Sequence, residues 1–194
     1  MPALVVEPAT VSRWADLQAV LGGRGAAAKC QCQRAILPLR EYWYMPPEMR
    51  EAFLRKEVGR RQAAAPGLIG YLDDRPMGWC RLAPRSAFAP LRNSPVPWSG
   101  RDEDRDDPGI WAVVCFAVRA GHRRQGVSGA LTAAAVDYAR ERGARAFEGY
   151  PMATGGGDIA WGELHVGAHG AFQRAGFREV SHPTPRRYVM RIDF

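Results

Sequence analysis

The 194-residue sequence is poor in lysine: of its 27 basic residues only Lys29 and Lys56 are lysines, and the rest are arginine. It is also poor in cysteine, with Cys30, Cys32, Cys80 and Cys115 alone. Met1 to Glu7 has no basic leader followed by an apolar core, so no signal peptide is expected. Without export, the four cysteines read as thiols rather than a disulfide framework. No apolar run approaches the roughly 18 residues that span a bilayer, which excludes a transmembrane helix and leaves a soluble cytoplasmic protein with no membrane partner. The 21 glycines and 15 prolines fall short of a low-complexity composition, and 46% hydrophobic residues exclude global disorder. With no internal repeat and no boundary signal, a single domain over 1–194 is expected.

What is present is positive charge. The formal net charge is +7 and the pI about 9.7. Arginine suits bidentate contacts with phosphate and carboxylate, so the balance favours an anionic partner: nucleic acid, a membrane surface or a phosphorylated cofactor.

Apolar patterning predicts an α/β chain. A short strand at Leu4–Val6 precedes a helix from Trp14 to Leu21, with Thr10 and Ser12 as caps and Gly22-Gly23 as its stop. Pro46-Pro47 opens a second helix running through Val58. Leu68–Leu72 and Met77–Leu82, around Asp73-Asp74-Arg75-Pro76, read as a hairpin. Pro84 to Gly109 reads as a long loop containing the charged run Arg101 to Asp107. Trp111 to Val118 is continuously apolar, as in a strand buried on both faces. Val127, Ala130, Leu131, Ala134 and Tyr138 recur at helical spacing up to the stop at Gly143. A strand at 146–150, a Gly-rich loop at 155–157, a short helix at 165–174 and strands at 177–181 and 187–193 complete the prediction.

The chemistry-bearing segment joins the buried strand to the long helix: Arg123-Arg124-Gln125-Gly126-Val127-Ser128-Gly129. Unpaired amides at a helix N-terminus, with arginines beside them and glycines that admit close approach, form an anion site. A solvated arginine cluster beside a helix cap is the plainer reading. A P-loop is excluded because no Gly-Lys-Ser/Thr follows, and the dinucleotide spacing G-x-G-x-x-G is absent.

Here the sequence resembles the GCN5-related N-acetyltransferase (GNAT) superfamily. Its pyrophosphate loop carries Arg or Gln, two variable residues, Gly, one variable residue and Gly or Ala; Arg123 and Gly126 match, and Ser128 stands at the last place. The element order and the late Ala171-Phe172-Gln173-Arg174-Ala175-Gly176-Phe177 are similar as well. Cys30-Gln31-Cys32, Gly78-Trp79-Cys80, Trp111 to Phe116 and Glu148-Gly149-Tyr150-Pro151 resemble an actinobacterial-type branch with mostly unassigned substrates.

The resemblance implies a mixed sheet of six to seven strands flanked by about four helices. It also implies acetyl-CoA as acyl donor and direct attack of a small-molecule amine on the thioester. The donor's pantetheine arm would pair with Phe116, Ala117 and Val118, and its pyrophosphate would sit on Arg123, Arg124, Gln125, Gly126, Val127, Ser128 and Gly129. The family's usual tyrosine acid is replaced by Phe172, and His165 stands where an asparagine is common. His165 is therefore a candidate acid or base, set against an exposed histidine on a short helix. Tyr150 is a candidate acid or a packed aromatic beside Pro151, and Glu148 a candidate base or a structural carboxylate paired with an arginine. Tyr42-Trp43-Tyr44 lie where the family lines its acceptor site, or in the core.

A metal at Cys30, Cys32, Cys80 and Cys115 is disfavoured because the spacing is not that of a zinc knuckle. His165 and His169 stand four apart on the expected helix but lack the Glu of a metalloprotease motif. A covalent acyl carrier at Cys115 runs against the inertness of a buried strand cysteine. Two alternatives stand beside the small-molecule acetyltransferase: the same fold taking its donor from aminoacyl-tRNA, which the arginine excess would suit, and a non-catalytic CoA-binding module, which Phe172 would suit. Homodimers are common in the family.

Overall fold

The computed structural model describes residues 4–60, 64–123, 125–154 and 163–194. Its frame is one seven-stranded sheet. The strands are β1 (Leu4–Pro8), β2 (Gly67–Leu72), β3 (Arg75–Pro84), β4 (Ile110–Val118), β5 (Ala146–Gly149), β6 (Arg178–Thr184) and β7 (Arg187–Asp193), in spatial order β1-β2-β3-β4-β5-β7-β6. Every pairing is antiparallel except β4 with β5. A parallel pair needs a crossover, and helix α7 (Val127–Glu141) supplies it.

Eight α-helices lie among the described residues, more than the sequence predicts. Besides α7 they are α1 (Trp14–Leu21), α2 (Ala26–Cys30), α3 (Leu39–Tyr44), α4 (Pro47–Gly59), α5 (Ala89–Asn93), α6 (Pro95–Trp98) and α8 (His169–Arg174). The expected loop at 84–109 holds α5 and α6, because prolines read as breakers sit in first turns, where the missing N–H costs nothing. The expected helix over 165–174 divides into a 3-10 turn, Glu163–Val166, and α8, since Ala168 between them is extended. The Gly-rich loop at 155–157 lies outside the described residues.

The two faces of the sheet carry separate cores. On one, Val127, Leu131, Ala135 and Ala139 of α7 and Phe172 of α8 cover Cys80, Leu82, Val113, Phe116 and Phe147. On the other, Leu17 and Leu21 of α1 and Leu54 and Val58 of α4 cover Ile69 and Trp79. A third cluster on that side joins Phe88, Ala112, Tyr150 and Val189.

One irregularity positions the site. Arg81 pairs with Cys115 but Leu82 pairs with Val113, so Val114 is an extra residue in β4. Such a bulge bends its strand. Here it leaves Val113 and Phe116 on the α7 face while Val114 and Cys115 both pack on the opposite one.

Candidate active site

The bulge falls where β4 and β5 part. Their last pair is Val113 with Gly149, while β4 continues to Val118. Over Val114–Val118 the β5 side of β4 therefore has no strand beside it among the described residues. Pro151 follows Tyr150, and the chain returns to hold the turn Glu163–Val166 near β4: Met152 N–H donates to Gly167 O at 3.0 Å and His169 N–H to Met152 O at 2.9 Å. The wedge between the strands is Phe172. Its ring is fully buried, 6.0 Å edge-on from Phe116, and packs so closely on Gly149 that a Cβ there would overlap it.

The α7 N-terminus meets the same end of β4. Val127 packs over Gly78, the β3 residue paired with Val118. Gly126 is the helix N-cap at φ +81, and the first amides of α7 have no intrahelical acceptor. Arg123, Gln125 and Gly126 are exposed, Ser128 and Gly129 half-buried, and Val127 buried in the core. Arg124 lies outside the described residues. The Ser128 carbonyl accepts from Thr132 Oγ1 at 2.7 Å, and the amides of a helix's first turn are the donors that an anion meets. Gly126→Ala is expected to cost about 1 kcal/mol. A Cβ there meets nothing within 4 Å, so the penalty is the left-handed backbone alone. A urea midpoint checks it.

Glu148 and Tyr150 are brought together, but inside the protein. The Glu148 side chain is 0% exposed. Its Oε2 accepts from Arg85 Nη1 at 3.1 Å and from the Tyr150 hydroxyl at 3.0 Å. Its Oε1 accepts from Arg191 Nη1 at 3.1 Å and from Arg101 Nη2. Glu103 caps the far side, bridging Arg85, Arg101 and Arg191. Burial first, and then the negative charge of Glu148, push the Tyr150 phenol well above its ordinary pKa. Of the two readings the sequence leaves open for each, the packed aromatic and the arginine-paired carboxylate match these surroundings. Within the charged run at 101–107, Arg101 is drawn inward, its side chain 6% exposed. Arg85, Arg101 and Arg191 escape a sequence reading because nothing local marks them among so many arginines.

His165 is exposed on the Glu163–Val166 turn, the segment that borders the open part of β4. His169 is on a different element and packs at a tilt against Tyr188, their ring centroids 4.1 Å apart. Cys80 faces α7, away from Cys32 and Cys115, and no cluster of three or more metal-ligating side chains lies among the described residues. Tyr42 is buried under the Arg50 guanidinium, whereas Trp43 and Tyr44 are exposed. No helix among the described residues is long and apolar enough to cross a membrane.

A mixed sheet split between its parallel central strands, with a glycine-capped helix N-terminus at the split, defines an acyltransferase fold that uses a CoA-linked donor. Residues 32–150 match the model of the acetyltransferase (GNAT) family. The chain belongs to that family, and it is an acyltransferase. It is similar over 99% of its length to a GCN5-related N-acetyltransferase from Kribbella flavida, at 19% identity, 98% coverage of that chain and a TM-score of 0.52. PaiA N-acetyltransferase from Thermoplasma acidophilum, solved with coenzyme A, matches at 10% identity over 99% of both chains with a TM-score of 0.54. Ribosomal-protein-alanine N-acetyltransferase from Brucella melitensis matches at 14% identity over 98% of this chain and 99% of its own, with a TM-score of 0.54. These likenesses establish the fold. No curated protein matches the chain.

Proposed function

We propose that the chain, as a single domain, transfers an acetyl group from acetyl-CoA to a primary amine of a small molecule. The observation that carries this is the edge of β4 over Val114–Val118, which no described strand pairs, ending beside the α7 N-terminus. That edge presents backbone N–H and C=O groups to an amide-bearing arm, over Phe116, Ala117 and Val118. The amides of Val127, Ser128 and Gly129, with Arg123 nearby, suit a pyrophosphate. When bound, the donor supplies a thioester carbonyl open to direct attack by an amine. In this reading His165, exposed on the Glu163–Val166 turn, takes the amine's proton. Glu148 is a weaker candidate because its oxygens are occupied by three guanidiniums, and the Tyr150 hydroxyl is committed to Glu148.

The same ion pairs bear on the tRNA alternative. Arg81, Arg85, Arg101 and Arg191 are bound to Glu57, Glu103 and Glu148. These four arginines are thus held in ion pairs rather than on a basic face of the kind nucleic-acid binders present.

The test is CoA release from acetyl-CoA against polyamines, aminoglycosides, amino acids and peptide N-termini. Turnover with at least one class is expected, together with a rise in Tm on adding acetyl-CoA. No turnover and no CoA binding would overturn the reading. His165→Ala is expected to lower kcat by about 100-fold while leaving Tm unchanged, since the ring is exposed. An unchanged rate would remove His165 from the mechanism.

A further inference from the structure

On the face of β4 turned away from α7, the structure brings together two thiols that lie 83 residues apart in sequence: Cys32 Sγ and Cys115 Sγ are 3.2 Å from each other. Their surroundings are built rather than incidental. Gln31 and Cys32 both adopt left-handed backbone, at φ +47 and +52, in a turn that sends the Cys32 side chain inward. That turn is pinned by a reciprocal amide pair, Gln18 Nε2 to Gln31 Oε1 at 3.0 Å and Gln31 Nε2 to Gln18 Oε1 at 3.2 Å. On the sheet side, Cys115 follows the bulge residue Val114 and pairs with Arg81. The Trp79 indole N–H donates to Cys32 Sγ at 3.0 Å.

The electrostatics separate the two sulfurs. The hydrogen bond with Cys115 draws the Cys32 thiol below its ordinary pKa against the opposing effect of burial, helped by the charge of Arg81 and the Trp79 N–H. Cys115 is raised by the same hydrogen bond and by burial, so it keeps its proton. Cys32 is 3% exposed and Cys115 half-buried, so the pair lies nearer to solvent on the Cys115 side. Cys80 has none of these features: it sits on the other face, and burial pushes its thiol up.

We propose that Cys32 and Cys115 are a peroxide-reactive thiol pair that closes to a reversible disulfide. The Cys32 thiolate attacks one oxygen of hydrogen peroxide, and the O–O bond breaks. Hydroxide leaves and takes a solvent proton to become water, and Cys32 becomes a sulfenic acid. The Cys115 sulfur then attacks the Cys32 sulfur; the S–O bond breaks and the hydroxyl departs with the Cys115 proton as a second water. Two thiols are oxidised by two electrons and one peroxide is reduced. The sulfurs need to approach by only about a further 1 Å to reach bonding distance. The bond ties the turn after α2 to β4 beside the place where β4 and β5 separate.

The experiment is mild peroxide treatment of the whole protein, followed by thiol titration after denaturation and mass spectrometry of its peptides. The expected result is a fall from four titratable thiols to two, one linked peptide joining Cys32 to Cys115, and full recovery with dithiothreitol. Tm should rise on the order of 5–10 °C in the oxidised form, because the link closes a long loop. Cys80→Ser should keep the link, and Cys32→Ser and Cys115→Ser should each abolish it. Four thiols surviving, a link through Cys30 or Cys80, or sulfinic acid at Cys115 without a link would each overturn the proposal. The wild-type measurement needs no variant to fold, and none of these readouts depends on acyl transfer.

Discussion

Replacing Glu148 by leucine is expected to lower the unfolding free energy by about 3–5 kcal/mol. Three arginines lose the carboxylate that neutralises them. Arg85 and Arg101 are themselves 1% and 6% exposed, so water does not take its place. Glu103 remains, but it is 36% exposed and reaches only one side of the group. Glu148→Gln should cost nearly as much, because one carboxylate oxygen becomes an N–H donor aimed at guanidinium donors. Glu103→Ala, by contrast, should cost on the order of 1 kcal/mol, in keeping with its exposure. Urea unfolding with an unchanged m-value checks the series. The pattern also discriminates roles: if Glu148→Gln kept the parent stability and lost turnover, the carboxylate would be acting as a base rather than as the counter-ion that fastens the α5–α6 segment to the sheet.

That network was out of reach of the sequence for a physical reason. Arg85 meets Glu148 across 63 residues and Arg191 meets it across 43. Which acid an arginine meets is decided by how the chain folds back, and local pattern carries no trace of it. The Cys32–Cys115 contact is hidden in the same way. What the sequence does display is whatever depends on near neighbours. The unbroken apolar run of β4 marks a strand covered on both faces, and the spacing of Val127, Leu131 and Tyr138 marks the buried side of α7. The arginine–glycine turn between them reads as an anion site because the helix start and its charge are contiguous. Proline misleads in 84–109, since the same residue ends one element and opens another; Ser94 caps α6 just where Pro95 begins it. The strand, turn and helix that meet at the end of β4 were therefore far more legible than the long-range ion pairs.

Phe172→Ala is expected to cost about 3–5 kcal/mol, the range for deleting a fully enclosed phenyl ring. The ring contacts Phe116 and Phe177 edge-on, at 6.0 and 4.9 Å between centroids, and rests against Gly149 and Gly167. It has no room to be replaced by a neighbour's shift, because backbone of β5 forms one of its walls. Its loss should also lower turnover beyond the stability effect, since this ring holds β5 and the segment ending at Gly167 in place where β4 opens. The position further tests the vacant tyrosine. One edge of the Phe172 ring faces Gly149 and the other Gly167, and the residue is fully buried, so a hydroxyl added at the para carbon would enter an enclosed place. Phe172→Tyr should then destabilise by about 1–3 kcal/mol, the penalty for an unpaired buried polar group, and leave turnover no higher than in the parent. A tyrosine variant that kept its stability and turned over faster would mean that the ring edge faces the reacting centre, and that this place in the fold still accepts a proton donor.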